Sequence, residues 1–379
     1  MNFLKSLFLI LILSLNAYGY DYKVLKGNNH VIHVVTIDAK NYDIKIVKAD
    51  NNLYGRKTLQ ELSKDSSISI NGGFFDAKGN PSCTLVINGK IYNLTFDPHS
   101  CLVINEDNIA SIQTVHISPN ITINEMNFSI DAVNTTNEKS IILYTNAWNA
   151  KTPDQQERNE IIINDSRISA INTHGANDAS KNQYILSLSK EIDISNIKVN
   201  DLVNIEFEKL TNNNVSIIRG IPMLIKDGEI TNAVLTEESK FYTHHHARTA
   251  LGIKANGDII LVVAENDYIA DIANLSAEEI RKKLNLYNDK INDANMDNFI
   301  NVIKQYAPES HNLGLSLKEL AQKMLDLECL WAINMDGGGS STLIVNGKVM
   351  NATIGDEDED LGKAVEREIS DAIVFNLKK

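Results

Sequence analysis

Four dipeptides of one kind, Asn88-Gly89, Asp227-Gly228, Asn256-Gly257 and Asn346-Gly347, each sit between two apolar runs. Asn-Gly and Asp-Gly supply the positive φ angles that a tight two-residue hairpin demands. They predict pairing of Val86-Ile87 with Ile91-Tyr92, Met223-Leu224-Ile225 with Ile230, Leu251–Lys254 with Ile259–Val263, and Leu343–Val345 with Val349. Helices are fewer and are announced by capping boxes: Thr58-x-x-Glu61, Ser276-x-x-Glu279 and Ser316-x-x-Glu319. The last opens an apolar face of Leu317, Leu320, Ala321, Met324 and Leu325, and runs straight into a strand from Cys329 to Ile333. The expected fold is α+β: a mostly antiparallel or mixed sheet with hairpins and a few peripheral helices, in a single composite domain.

The first nineteen residues read as a leader. Lys5 is followed by an almost wholly apolar run from Ser6 to Leu15, with Ala17 and Gly19 at the positions a signal peptidase reads. That run is too short for a comfortable membrane span. The expectation is export to the periplasm or medium, with residues 20–379 as the mature domain and no stable membrane insertion after cleavage. Lys5 is the only charge removed, so the formal net charge moves from −13 to −14. A chain this acidic, with no Lys/Arg cluster, is not suited to tracking nucleic-acid phosphates. Cys83 and Cys101 are candidates for a bridge in an oxidising compartment, with Cys329 buried in a strand; three isolated cysteines offer no metal spacing. Residues 266–312 are polar and helix-prone and read as an insertion of the kind that can serve as a lid. The run Asp356–Asp360 suits a solvated acidic loop better than a Ca²⁺ site, since it lacks spaced EF-hand ligands. No cofactor and no metal is expected.

Chemistry concentrates at Ile333–Val345, where Asp336 precedes Gly337, Gly338, Gly339, Ser340 and Ser341. Three consecutive glycines give up backbone entropy and bury nothing, which fits close approach of N–H groups to an anionic ligand. The nucleotide P-loop is excluded, because no Lys follows the glycines. Four more segments are over-specified for packing. Asn71-Gly72-Gly73-Phe74-Phe75 suits a sugar face with polar edges. His244-His245-His246-Ala247-Arg248-Thr249 offers a guanidinium able to hold a phosphate through paired hydrogen bonds, while its histidines alternate in direction and make a poor zinc site. Glu265 follows a strand, and Glu366-Arg367 precedes the last one.

As a set, Asn71–Phe75, Gly220-Ile221-Pro222, Arg248-Thr249-Ala250, Asn334–Ser341 and Glu366-Arg367 resemble the phosphodiester glycosidase family. The resemblance spans nearly the whole mature chain. It departs at Glu265-Asn266-Asp267, where the family commonly has Asp-Gly-Arg, and at Glu368, where it has proline. The resemblance implies an exported hydrolase acting on a glycan or sugar-1-phosphodiester. Asp336 is then the carboxylate that activates water or attacks the anomeric carbon, with Glu265 or Glu366 as partner. Arg248, the Gly337–Gly339 amides and Ser340/Ser341 form the expected phosphate clamp. Asn71, Gly73, Phe75, His246, Thr249 and Arg367 complete the expected substrate-binding set. Two alternatives stay open: an exported carbohydrate-binding or envelope-assembly protein without turnover, and a glycosidase or transglycosylase on a phosphate-free glycan.

Overall fold

The computed structural model describes residues 11–13, 19–27, 30–207, 215–265, 314–353, 356–357 and 364–378. The Ser276 capping box, the 266–312 insertion, most of the leader and Asp358–Asp360 lie outside them. All four expected hairpins form. Val86 opposes Ile91, Ile225 opposes Ile230, Leu251 opposes Leu261, and Ile344 opposes Val349. In three turns both residues take positive φ (Asn88 and Gly89, Asp227 and Gly228, Asn346 and Gly347). The fourth differs. Only Gly257 turns positive, its N–H donating to the Lys254 carbonyl, so that hairpin closes through a type I turn followed by a left-handed glycine.

These hairpins are assembled into mainly antiparallel sheets. The largest has eight strands in the order Leu11–Leu13, Tyr20–Lys26, Val31–Ile37, Ile259–Ala264, Arg248–Lys254, Cys329–Asn334, Met223–Lys226 and Glu229–Ile230. Leu11–Leu13, inside the expected leader, pairs with Tyr22–Val24 at its edge. A second sheet runs Lys348–Val349, Leu343–Val345, Ile68–Asn71, Asp371–Leu377 and Tyr42–Lys48. A third places Ser216–Arg219 between Leu85–Ile87 and His99–Ile104. A five-stranded sheet around Arg158–Asn164, a three-stranded sheet around Pro119–Ile123 and a two-stranded pair of Asp356–Glu357 with Ala364–Val365 complete the β structure of the described residues; the first of these holds the parallel pair Ala132–Val133 and Ile141–Thr145.

The strand Ile259–Ala264 is buried throughout, and its two faces explain why it lacks alternation. Ile259, Leu261 and Val263 enter a core shared with Ile70, Ile333, Ile373 and Phe375; Ile260, Val262 and Ala264 meet the helix Leu317–Asp326. That helix starts at the expected Ser316 box, with Ser316 Oγ accepting the Glu319 N–H. Gly252 permits its close approach, since a Cβ there would stand 2.6 Å from Met324 Cε and 2.5 Å from Cys329 Sγ.

The cysteines correct one expectation: all three are free thiols. Ser216–Arg219 lies between the strand that follows Cys83 and the strand holding Cys101. Two inter-strand spacings, about 10 Å, separate them, beyond the roughly 7 Å that a disulfide spans between Cα atoms.

Candidate active site

The glycine loop crosses from the first sheet to the second. It leaves Cys329–Asn334, passes Asp336 and enters Leu343–Val345, and three backbone bonds pin it. Met335 N–H donates to the Thr249 carbonyl, Asp336 N–H to Gly72, and Asn71 N–H to Thr342. Asn71 completes the junction. Its Nδ2 donates to the Asp336 carbonyl at 2.7 Å, and its Oδ1 accepts from Thr249 Oγ1 (2.8 Å) and the Thr342 N–H (3.2 Å). Thr249 Oγ1 also lies 3.1 Å from Ser341 Oγ. Asn71, Thr249 and Ser341 are all buried and hold the loop; every polar atom of the Asn71 amide that they leave is spent on Asp336.

Asp336 itself keeps partial exposure. Burial pushes its carboxyl up to about 6, while the Ser340 hydroxyl, the Gly337 N–H and the Arg367 guanidinium pull the other way. Gly337 N–H donates to Asp336 Oδ1 at 3.0 Å. The Ser340 hydroxyl is buried near that carboxyl without a hydrogen bond of ordinary geometry. A carboxyl poised near 6 is half-way between base and acid at a pH where most carboxylates are fully ionised.

The expected amide clamp is largely spent. Gly337 N–H serves Asp336 and Gly338 N–H donates to the Ala247 carbonyl (2.8 Å), which leaves Gly339 alone of the three without a partner among the described residues. Gly338 takes φ +60 and faces open space, and a Cβ on Gly337 would press to 2.8 Å from the Ala247 oxygen. Arg248 is also committed. Its Nε donates to the Leu315 carbonyl (3.0 Å) and its Nη2 to those of Phe241 and His244 (both 2.9 Å), with the guanidinium 5.7 Å over the Phe241 ring. Burial brings it down to about 10. The cation that bears on Asp336 is instead Arg367.

The two candidate partner carboxylates are placed differently. Glu265 stands at the same sheet end as Asp336, beyond the Arg248–Ala264 pair. Its Oε1 accepts from the Ala352 N–H (2.8 Å) and meets His33 Nε2 (2.7 Å), whose Nδ1 meets the Tyr22 hydroxyl (2.7 Å). Glu366 instead accepts the Gln60 N–H at 3.0 Å, at the start of the short helix Leu59–Leu62, where burial raises its carboxyl. His246 is exposed and bridges by its backbone to Leu315, its ring 6.2 Å from that of His244. Phe75 packs against the cluster of Leu59 and Ile344, while Phe74, like Phe75 partly exposed, lies 6.3 Å from Phe241. Gly73 N–H donates to Asp371 Oδ1 (2.8 Å).

Asp371, Lys48, His33 and Tyr22 are absent from the sequence-derived set. Asp371 is buried, raised by that burial, and a Cβ on Gly72 would stand 2.1 Å from its Oδ1. Lys48 faces it across a strand pair and is lowered to about 8 by burial. The Asp at the start of the last strand was the readable signal for the first of these. Among the described residues no group of three His, Cys, Asp or Glu side chains is arranged to hold a metal ion.

The arrangement is that of a sheet-end carboxylate site, and comparison with known proteins assigns its class. The sequence profile of the phosphodiester glycosidases matches residues 141–288 and 298–376, more than half the chain, and the chain belongs to that family. A Rickettsia conorii protein of uncharacterised function is 29% identical over 284 residues, 68% of this chain and 96% of its own length. A hypothetical protein from Synechocystis has the same fold (TM-score 0.67, 18% identity, 95% of this chain covered), and this chain spans only 62% of its length. A Burkholderia pseudomallei protein described as exported matches at a TM-score of 0.64 with 15% identity, covering 93% of this chain and 74% of its own. The zebrafish N-acetylglucosamine-1-phosphodiester alpha-N-acetylglucosaminidase catalytic domain aligns over 99% of this chain and 83% of its own at 14% identity and a TM-score of 0.45. No helix among the described residues is long and apolar enough to cross a membrane.

Proposed function

We propose that this chain is an exported glycosidase that hydrolyses a sugar-1-phosphodiester between the anomeric carbon and the phosphate oxygen. The observation that carries the reading is Asp336: a partly exposed carboxyl on a pinned loop, near 6, beside a guanidinium, in a chain of this family. Departure of a phosphate monoester needs its negative charge held more than it needs a proton. Arg367, the Gly339 N–H and the Ser340 hydroxyl are the groups assigned to that charge. Arg248 is reassigned from clamp to scaffold, because three carbonyls occupy its Nε and Nη2.

Ionised Asp336 acts on the anomeric carbon, either directly, forming a glycosyl ester that water then hydrolyses, or through a water whose proton it takes; the bond from that carbon to the phosphate oxygen breaks and its electron pair leaves with the phosphate. Glu265 is assigned as the partner carboxylate because it stands at the same sheet end as Asp336, whereas Glu366 sits at the start of the helix Leu59–Leu62. Phe74 and Phe241 form the apolar wall against which a sugar face would stack. The leader-like residues 1–19, and the exported relative, support placement outside the cytoplasm. Asp336→Asn should abolish release of sugar from a panel of sugar-1-phosphodiesters. Full turnover by that variant, or preference of the wild type for a plain aryl glycoside over the matched phosphodiester, would overturn the assignment.

A further inference from the structure

A second cluster lies behind the Gly72–Phe74 loop, on the third sheet, and the glycosidase reading does not use it. Arg219 ends its strand directly opposite Cys101, and His99 lies two residues before Cys101 on the same face. Diagonal neighbours on adjacent strands stand about 7–8 Å apart, within reach of side chains as long as these. His99 is 4% exposed, yet its Nε2 has no partner among the described residues. The Arg219 Nε is likewise buried and unpartnered, and no carboxylate pairs with its guanidinium among them. A half-buried cation without a counter-ion, beside a buried nitrogen without a bond, is costly unless a ligand completes both.

The imidazole narrows the ligand. His99 Nδ1 bonds the Asp97 carbonyl, and a carbonyl only accepts, so Nδ1 carries the hydrogen. The neutral ring therefore presents Nε2 as an acceptor, next to guanidinium donors. Burial lowers the pKa of this histidine, and Arg219 and His116 add to the lowering while Asp97 opposes it. The other titratable groups around Arg219 are Cys83 and Cys101, both held as thiols by burial. We infer that Arg219 and His99 form a binding site for an oxyanion that carries its own hydroxyl, either hydrogen phosphate or the phosphate-and-hydroxyl edge of a sugar phosphate. The ligand's charged oxygen meets the guanidinium and its O–H donates to His99 Nε2. Asp336 is not part of this site. The two are linked through the backbone, where a Gly73 Cβ would lie 3.6 Å from the Arg219 carbonyl and Gly72 accepts the Asp336 N–H.

The test is calorimetric titration of the full chain at pH 7.5 and constant ionic strength with inorganic phosphate, a hexose 6-phosphate and sulfate. Phosphate or the sugar phosphate should bind saturably, whichever is tighter naming the source, and sulfate, which has no hydroxyl, should bind only when the pH is low enough to protonate His99. Arg219→Gln should weaken binding at least tenfold, Arg219→Lys should weaken it less, and Asp336→Asn should leave it unchanged. Absence of binding in the wild type, equal affinity for sulfate and phosphate at pH 7.5, or undiminished affinity in both Arg219 variants would overturn the inference. Loss of binding in Asp336→Asn would do the same, by assigning the anion to the carboxylate site. Should Arg219→Gln fail to fold, Arg219→Lys with the sulfate comparison decides alone.

Discussion

Replacing Asp336 with asparagine should stabilise the fold at neutral pH while it removes activity. Most substitutions of a bonded, largely desolvated side chain do the opposite. The carboxyl is raised from 3.8 to about 6, with burial as the leading cause. Each unit is worth about 1.4 kcal/mol, so ionising the group within the fold costs up to about 3 kcal/mol, and partial solvent screening reduces this to about 1–3 kcal/mol. A raised carboxyl pKa means the folded state prefers the neutral form. Its contribution is therefore fully present below the unfolded value of about 4 and is lost as pH rises through about 6. Asparagine is neutral throughout, and its carbonyl oxygen can still accept the Gly337 N–H. Urea unfolding of both proteins at intervals from pH 4 to 8 isolates this one group, because other titrations cancel in the difference. The variant should match the wild type near pH 4 and exceed it by about 1–3 kcal/mol at pH 8. A difference that is flat across that range, or that favours the wild type at pH 8, would refute the claim that this carboxylate is held against its ionisation preference.

The remaining predictions are more local. Turnover should show an acidic limb near pH 6, set by Asp336; a profile flat down to pH 4.5 would contradict its role as base or nucleophile. Tyr22→Phe leaves the His33–Glu265 contact in place but removes its support, and should lower kcat with little change in KM, a split that a purely structural defect would not produce. Gly72→Ala drives a methyl to 2.1 Å from Asp371 Oδ1 and should lower the thermal midpoint by several degrees; an unchanged midpoint would show that the Asp371 contact is dispensable. Leu320→Ala empties part of the face that the helix Leu317–Asp326 buries and should cost about 2–5 kcal/mol in urea unfolding.

What could be read from the sequence was whatever is encoded within a few residues. Asn88-Gly89 and Asn346-Gly347 specify their turns alone, and the Ser316 box specifies its helix alone. Asp336 stands out in the sequence as a candidate because three glycines and two serines beside one carboxylate have few structural uses. The supports of the site were not legible, because they join positions far apart. Asn71 reaches Asp336 across 265 residues, and His33 reaches Glu265 across 232. The same holds for what sequence over-credits. Arg248 reads as a ligand-binding cation until the carbonyls of Phe241, His244 and Leu315 are seen to occupy its Nε and Nη2, and Gly337 and Gly338 read as free amides until their acceptors are known. The Cys83–Cys101 pairing fails for a related reason: an intervening strand comes from more than a hundred residues downstream.

The bond that breaks is the most direct test of the account. Wild-type protein incubated with a sugar-1-phosphodiester in ¹⁸O-labelled water should place the label on the anomeric hydroxyl of the released sugar, with none in the phosphate monoester. Label in the phosphate, or no release at any pH between 5 and 8, would contradict it.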